Sequence, residues 1–287
     1  MLIARLIADA DGMATRLDDM TGAVGTLGIS PMGEDGVELV SVNANRAGLR
    51  DAIDAHFDSS DGLIASSPIA IPQVFVSDMD STMIGQECID ELADYAGLKA
   101  KIADITEKAM LGELDFREAL KERVALLKGL EVDAITRCLS DRIWPTPGAR
   151  TLVQTLNSKG CRTVLVTGGF HHFADAVGEE IGFDRVVGNR LNVIDGKLTG
   201  ELEGAIVDSD AKRQTLEREG ANVGIDATTL AIGDGANDIP MIEAATYGFA
   251  YCAKPKARAA AHGWIDRGDL TSVLRLLGIP ETEWVMD

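Results

Sequence analysis

The stretch Val74-Phe75-Val76-Ser77-Asp78-Met79-Asp80-Ser81-Thr82 decides the fold. Its first four residues are β-branched, aromatic and small, which predicts a short buried strand. The polar residues after them open from the end of that strand, where open α/β sheets bind ligands. Asp78 and Asp80 point the same way if the strand continues through them. The pair can hold a hard cation, divide the roles of nucleophile and proton donor, or simply cap a turn.

Strands and helices alternate along the rest of the chain. Apolar runs at residues 163–166 and 229–232 alternate with helical stretches, which predicts an α/β fold with a doubly wound, mostly parallel, Rossmann-like sheet. Amphipathic helical patterns fill residues 86–140. About fifty helical residues are long for a crossover between two strands, so we predict a helical cap inserted at about 86–147 within a domain of residues 71–287.

The first 70 residues differ in character from the rest. They predict a small α+β module with no catalytic cluster. Turn-forming residues in Ser59-Ser60-Asp61-Gly62 and Ser66-Ser67-Pro68 predict a linker at residues 59–72.

Composition excludes several classes of function. The 287 residues carry a formal net charge of −19, which argues against binding to nucleic acid or to anionic membrane surfaces. No apolar run approaches the ~18 residues of a membrane span, and the start of the chain lacks the pattern of a signal peptide, so we expect a cytoplasmic protein. The four cysteines are scattered and predict neither a zinc site nor a disulfide framework.

Two further strand ends carry polar loops. Thr167-Gly168-Gly169 follows the second buried run, and Gly233-Asp234-Gly235-Ala236-Asn237-Asp238 follows the third. The carboxyl ends of parallel strands meet at one edge of a sheet, so all three loops can converge on one crevice. The glycines let backbone N–H groups approach an anion, and the acids add to the carboxylates of the first loop.

A cluster of three or four carboxylates requires a counter-charge. Like charges at close range cannot all stay ionised without a cation, and hard oxygen ligands point to Mg²⁺. In Asp208-Ser209-Asp210-Ala211-Lys212, Lys212 falls in the first turn of a predicted helix, where the helix dipole disfavours a cation. A role facing the crevice explains this placement, although lysines also occur there on ordinary surfaces.

Together these pieces resemble the haloacid dehalogenase (HAD) superfamily. The D-x-D-S-T, T-G-G, D-x-D-A-K and G-D-G-x-N-D motifs occur in the family's order over about residues 74–252. The chain most resembles the members that hydrolyse O-phosphoserine, because Glu87 stands nine positions after Asp78 and the stretch from Met110 to Leu120 leads to Arg123. Thr167 stands where many members have serine, which keeps the hydroxyl.

The resemblance implies an aspartyl-phosphate mechanism. Asp78 would be the nucleophile. Asp80 would protonate the leaving oxygen and then take a proton from the hydrolytic water. Mg²⁺ would be held by the Asp78 carboxylate, the Asp80 backbone carbonyl and Asp234.

The resemblance also implies how the phosphoryl group is held. Thr167, the Gly168 N–H and Lys212 would bind the phosphoryl oxygens. Asn237 would orient the phosphate. Asp238 would support the residues that contact the substrate without contacting it itself.

In the cap, the resemblance implies a site for a small zwitterionic substrate. Arg123 would bind its carboxylate and Glu87 its ammonium group. Met110 and Phe116 would form an apolar lid. Without the resemblance, each of these four residues would be read more simply as structural.

Other functions remain open at this point. One keeps the chemistry but changes the substrate, as in a phosphatase or phosphotransferase acting on another small ester such as phosphohomoserine. Another class is an amino-acid-sensing regulatory protein. In some bacterial members of the superfamily the N-terminal position carries an ACT-like ligand-binding domain, which residues 1–70 loosely resemble. That module can bind an amino-acid effector, form a homodimer surface or pack on the core.

Overall fold

One sheet of eleven strands runs through the described part of this computed structural model. The structure describes residues 1–24, 27–110 and 114–286, without the side chains at positions 23, 27, 103 and 107–110. The strands are Leu2–Ala8 (β1), Leu27–Pro31 (β2), Gly36–Ser41 (β3), Ser60–Ala65 (β4), Val74–Ser77 (β5), Arg162–Phe170 (β6), Arg185–Ile194 (β7), Lys197–Glu203 (β8), Thr229–Gly233 (β9), Tyr247–Tyr251 (β10) and Gly263–Ile265 (β11).

Helices occupy most of the connections between these strands. They are Met13–Val24 (α1), Arg46–His56 (α2), Cys88–Tyr95 (α3), Lys99–Met110 (α4), Phe116–Leu126 (α5), Asp133–Arg142 (α6), Ala149–Ser158 (α7), His171–Ile181 (α8), Ser209–Val223 (α9), Ile239–Ala244 (α10), Pro255–Ala260 (α11) and Ser272–Leu277 (α12). Among the described helices, none combines the length and the apolar character needed to cross a membrane.

The centre of the sheet is parallel. In the strand order β2-β3-β1-β4-β11-β10-β9-β5-β6-β7-β8, all pairs from β11 to β7 are parallel. β5 lies between β9 and β6, so the three strands that carry polar ends are neighbours. The predicted α/β fold with a mostly parallel sheet is confirmed.

Helices α3 to α6 form a cap between β5 and α7. The chain enters and leaves the cap side by side: Ile84 and Pro145 form an antiparallel bridge, and the Thr146 N–H donates to the Met83 carbonyl at 2.9 Å. Farther out, the Gly129 N–H donates to the Leu198 carbonyl of β8 at 2.8 Å. The cap is therefore tied to the core at its base and at the β7–β8 hairpin.

The N-terminal 65 residues follow a β-α-β-β-α-β order, as in ferredoxin-like folds. β4, β1, β3 and β2 pair antiparallel, and β4 also pairs antiparallel with β11. Helices α1 and α2 bury an apolar cluster that includes Leu6, Leu49 and Ile53, and Trp264 of β11 belongs to the same cluster. The module therefore shares both a sheet and a packed core with the rest of the chain.

The predicted linker at residues 59–72 is wrong in its first half, because Ser60–Ala65 form the fully buried strand β4. Two contacts override the turn-forming character of these residues. A Cβ on Gly62 would lie 2.4 Å from the Trp264 ring, so only glycine lets the tryptophan pack here. The buried Asp61 carboxylate accepts from the N–H groups of residues 266–268 and from the Ser272 hydroxyl.

Two glycine-containing segments adopt different structures. Asp195-Gly196, a dipeptide typical of two-residue hairpin turns, has φ of 51° and 75° and forms the tight turn between β7 and β8. Thr167-Gly168-Gly169 is not a loop, since β6 continues through it to Phe170. The pairing of β6 with β7 shifts register between Val166 and Phe170, which indicates a bulge. The bulge re-aims the polar residues while the strand continues.

Candidate active site

Three adjacent strand ends bring the predicted polar residues together. Ser77, the last residue of β5, pairs with Ile232 of β9 and Leu165 of β6. The next residue, Asp78, donates its backbone N–H to the Ile232 carbonyl at 3.0 Å. The segments that follow in all three strands therefore start at the same level of the sheet, as the parallel arrangement predicted.

Lys212 lies at the centre of the carboxylate cluster. Its side chain is only 1% exposed, and its Nζ is 2.7 Å from Asp78 Oδ1 and 2.7 Å from Asp238 Oδ1. Although burial acts in the opposite direction, the carboxylates of Asp238 and Asp78 raise the pKa of Lys212. An ammonium group has three N–H donors, so one remains for a ligand. The first-turn lysine thus faces the site.

The residues around Asp78 fix its carboxylate in position and raise its pKa. Its Oδ1 accepts from Lys212 and from the Met79 N–H at 2.7 Å. Its Oδ2 makes no hydrogen bond to any described residue, and Asp78 lines the active-site cavity. Burial and the nearby Asp238 raise the pKa of Asp78 well above its usual range, with Lys212 acting against them. A positively charged ligand would therefore favour the ionised form.

Asp80 is held by two elements. Its Oδ1 accepts from the Cys88 N–H at the start of α3 at 2.9 Å, and its Oδ2 accepts from the Thr167 hydroxyl at 3.3 Å. Thr167 Oγ1 in turn accepts from the Gly169 N–H at 2.8 Å, and a Cβ on Gly169 would lie 2.8 Å from Asp80 Oδ2. Burial raises the pKa of Asp80, although the Cys88 N–H lowers it. Thr167 therefore contacts the neighbouring acid directly.

Asp234 completes a group of carboxylates suited to a metal ion. Oxygens of Asp78, Asp234 and Asp238 all lie within 4.8 Å of one another. Burial and Asp238 raise the pKa of Asp234 to about 6, and Lys254 lies 4.0 Å from its Oδ2. Three crowded acids around a single buried lysine fit a hard divalent cation, because its charge would stabilise their ionised forms.

Asp238 is the least available member of that group. It is fully buried, its Oδ1 accepts from Lys212, and its Oδ2 accepts from the Gly235 N–H at 3.1 Å. Both oxygens are therefore engaged within the protein. This position fits the predicted supporting role of Asp238 better than direct ligation.

The cap closes a cavity of about 90 Å³ over these groups. Its lining brings most of the predicted site residues together: Asp78, Asp80, Glu87, Phe116, Arg123, Thr167, Gly168 and Asn237. A Cβ on Gly168 would lie 3.1 Å from the Phe116 ring, so this ring covers the bulge of β6. The side chain of Met110 lies outside the described residues, and its lid role stays a prediction.

Two opposite charges face this cavity from the cap. Glu87 is an exposed residue of the cavity lining and accepts from the Ser81 hydroxyl at 2.7 Å. Partial burial and the Asp80 charge raise the pKa of Glu87 to about 7. Arg123 donates to the Ala119 carbonyl and to the Thr106 hydroxyl, both at 3.3 Å. Burial lowers the pKa of Arg123, although Asp90 and Glu87 counteract it.

Asn189, in the middle of β7, also supports the site and was not predicted from the sequence. Its side chain donates to the Gly168 carbonyl at 2.8 Å and accepts from the Val207 N–H at 2.8 Å. The buried amide therefore fixes the bulge of β6 relative to the segment that leads into α9. In the sequence, an asparagine after a glycine looks like an ordinary turn residue, so no local signal distinguished it.

A contact between cap and core was also missed. Arg117, on the first turn of α5, donates through Nε to Asp208 Oδ2 at 2.8 Å and forms a further ion pair through Nη2. Asp208 is the N-cap of α9 and accepts from the Ala211 N–H at 3.0 Å. One pair thus connects the helix that carries Phe116 and Arg123 with the helix that carries Lys212.

Comparisons with known proteins show which family and which solved structures this chain resembles. A family model of haloacid dehalogenase-like hydrolases matches residues 75–243. A phosphoserine phosphatase of Streptococcus thermophilus is 47% identical over 205 residues, which cover 71% of this chain and 95% of that protein. A solved HAD-family hydrolase of Salmonella enterica serovar Typhi has a TM-score of 0.84 at 28% identity and covers 96% of this chain and 99% of its own. A solved phospho-aspartyl intermediate analogue of phosphoserine phosphatase has a TM-score of 0.66 at 38% identity. It covers 71% of this chain and 98% of its own.

Proposed function

Because the chain belongs to the haloacid dehalogenase-like hydrolase family, we propose that it is a Mg²⁺-dependent phosphatase that hydrolyses O-phospho-L-serine to L-serine and inorganic phosphate. One observation carries the proposal. The acid pair Asp78 and Asp80 lines the same small cavity as the oppositely charged Glu87 and Arg123. Phosphoryl chemistry and recognition of a zwitterion therefore share one space.

In the first step, Asp78 acts as the nucleophile. One of its carboxylate oxygens attacks phosphorus, the bond from phosphorus to the seryl oxygen breaks, and an aspartyl-phosphate forms. The related structure of a phospho-aspartyl intermediate analogue supports this assignment. Lys212 holds one Asp78 oxygen in place, which leaves Oδ2 for the attack.

Asp80 acts as acid and then as base. Its raised pKa lets the carboxyl carry a proton, which it gives to the leaving seryl oxygen. The resulting carboxylate then takes a proton from the water that attacks the aspartyl-phosphate, and this step releases phosphate and restores both acids. The hydrogen bonds from Cys88 and Thr167 keep the carboxyl oriented through both steps.

The remaining polar groups bind the phosphoryl oxygens and the metal. Lys212 has one free N–H donor, and the Gly168 N–H and Asn237 lie at the same cavity. Asp78, the Asp80 backbone carbonyl and Asp234 would hold Mg²⁺. When bound, Mg²⁺ neutralises charge on the carboxylates and on the phosphoryl oxygens.

Substrate choice is the task of the cap. Arg123 offers a guanidinium for the substrate carboxylate, and Glu87 offers a carboxylate for the ammonium group. Phe116 excludes water above the bulge of β6. An ester that lacks one of these charges loses one contact, and an ester that lacks both loses both, which is why phosphoserine is favoured over simpler phosphate esters.

The decisive experiment measures phosphate release from L-phosphoserine, D-phosphoserine, phosphohomoserine and p-nitrophenyl phosphate, each with and without Mg²⁺. We expect L-phosphoserine to be the preferred substrate and activity to require Mg²⁺. Asp78→Asn should abolish turnover. The control Asp226→Asn replaces an exposed aspartate that precedes the first residue of β9, and it should retain turnover. A higher kcat/KM for another ester, or an active Asp78→Asn protein, would contradict the proposal.

Three expectations accompany this function and stay predictions. They are the homodimer, the cytoplasmic location and an effector-binding role for residues 1–70. The alternative of an amino-acid-sensing regulatory protein is less favoured, because the chain belongs to a hydrolase family and carboxylates of the predicted cluster surround Lys212.

A further inference from the structure

A second cavity, which shares no lining residue with the active-site cavity, lies between α2 of the N-terminal module and the segment from the end of β10 through α11. Its volume is about 550 Å³, within the range of small-molecule sites, and it lies where two parts of the fold meet. Apolar groups form much of its wall: Ile64, Ala253, Pro255, Ala259 and Ala261. Charged side chains of α2 and α11 enter the same space.

The walls of this cavity are held in place by ion pairs. Arg258 of α11 donates to both Asp54 oxygens, at 2.9 and 2.8 Å, and through Nε to Asp266 at 2.6 Å. The Arg50 guanidinium lies 3.7 Å from the centre of the Trp264 ring. All three donor groups of Arg258 are therefore used within the protein, and the pocket is preformed.

Other donors on the wall are unused. Arg46 makes no hydrogen bond or ion pair to the described residues. Arg50 uses Nε on Asp54 and Nη2 on the Arg258 carbonyl, so Nη1 has no partner among the residues that the structure describes. His262 Nδ1 accepts from the Gly248 N–H at 3.1 Å, which places the ring proton on Nε2. Burial and Arg46 lower the pKa of His262 to about 4, so the ring is neutral near pH 7.

The charge of the lining selects the kind of ligand. Three arginines and two aspartates, Asp51 and Asp54, line the cavity, and Asp266 pairs with Arg258 behind the wall, so the arginines and aspartates balance in number. Among the described lining residues, the unused polar groups are the donors of Arg46, Arg50 and His262 and the carboxylate of Asp51. The clustered donors favour an anion, and the Asp51 carboxylate disfavours one with more than a single charge. The partly apolar wall favours a carboxylate with a short hydrocarbon part over inorganic phosphate.

We propose that this cavity is a binding site for small organic monocarboxylates. The Arg46 guanidinium and Arg50 Nη1 bind the carboxylate as charge-assisted donors, and His262 Nε2–H is the third donor. The hydrocarbon part of the ligand packs against the alanines and Pro255. The site is separate from the phosphatase centre and does not depend on the function proposed for it.

Calorimetric titration with acetate, propionate and butyrate tests the proposal. We expect affinity to rise about fourfold for each added CH₂ until the apolar wall is filled. Butyramide, which has the shape but lacks the charge, and inorganic phosphate should bind at least tenfold more weakly than butyrate. Equal binding of butyrate and butyramide, tighter binding of phosphate, or no binding of butyrate at all would overturn the proposal.

Variants locate the site. Arg46→Gln should weaken butyrate binding by about tenfold or more, since hydrogen bonds to charged groups are the strong ones. Arg218→Gln removes an exposed arginine of α9 and is the matched control, which should bind normally. Arg123→Gln should also bind normally, because Arg123 belongs to the active site. Loss of binding in Arg123→Gln but not in Arg46→Gln would assign the anion to the active site instead.

Because Arg46 is exposed and unpaired in the described structure, Arg46→Gln should fold and turn over phosphate esters normally.

An NMR measurement tests the position of the ligand without measuring its affinity. In the unmodified protein, butyrate should shift the NMR signal of the His262 Nε2–H. An unchanged His262 signal at saturating butyrate would contradict the assignment.

Discussion

Arg117 in the cap forms an ion pair with Asp208, the residue that caps the helix of Lys212. We predict that Arg117→Gln lowers kcat/KM for phosphoserine about two- to fivefold, because the cap is held closed less firmly. The size follows from the 56% exposure of the Arg117 side chain, since such pairs contribute at most about 1 kcal/mol. The effect should disappear at high salt.

A matched control distinguishes this contact from a general effect of charge. Arg213→Gln removes another α9 ion pair, with Glu217 at 2.8 Å, and should leave kcat/KM unchanged. Asp208→Asn keeps an N-cap side chain, so it should reproduce the Arg117→Gln effect, and the double variant should add little. Additive losses would show that the two residues do not act through each other.

Lys212→Met should lose both activity and stability. The variant removes the cation between Asp78 and Asp238, and breaking a buried ion pair costs about 3–5 kcal/mol. Loss of the donor to the phosphoryl group should lower kcat by about 10²–10³-fold. Adding Asp238→Asn should recover part of the melting temperature but none of the activity, while Lys256→Met, at an exposed position, should change neither.

Glu87 should make the stability of the metal-free protein depend on pH. Its folded-state pKa of about 7 lies above the ordinary value of 4.5, so the folded state binds more protons between these values. The destabilisation by Glu87 is therefore absent below about pH 4.5 and complete above about pH 7. With EDTA present, Glu87→Gln should raise the melting temperature by about 1–3 °C at pH 8 and leave it unchanged at pH 4. A variant less stable than the unmodified protein at pH 8 would contradict this.

Mg²⁺ should stabilise the protein in a pH-dependent manner. The pKa of Asp234 is raised to about 6 and that of Asp78 is also raised, so protons compete with the metal in mildly acidic solution. Addition of 5 mM Mg²⁺ should therefore raise the melting temperature more at pH 8 than at pH 5.5. Asp234→Asn should abolish the shift, and Asp226→Asn should retain it. An equal shift in both variants would place the metal elsewhere.

The sequence predicted the three strands with polar ends better than it predicted strand β4 of the N-terminal module, and the reason is physical. Buried strands with polar ends are local patterns, and the parallel sheet then brings Asp78, Thr167 and Asp234 to one edge. In contrast, β4 depends on partners far along the chain. Gly62 makes room for Trp264, and Asp61 binds the backbone of residues 266–268, so turn-forming residues become a buried strand. Asn189 is likewise defined only by its distant hydrogen-bond partners.

The pairing of β4 with β11 has a consequence for the solubility of any shortened form of this chain. β11 is only three residues long, and its outer backbone groups are satisfied by the N-terminal module. If residues 1–70 were removed, the bare strand would present unpaired donors and acceptors to any other chain, as aggregation-prone edges do. The module thus protects β11 from pairing with other chains. A truncated phosphatase would need charged residues or a proline on β11 to avoid aggregation.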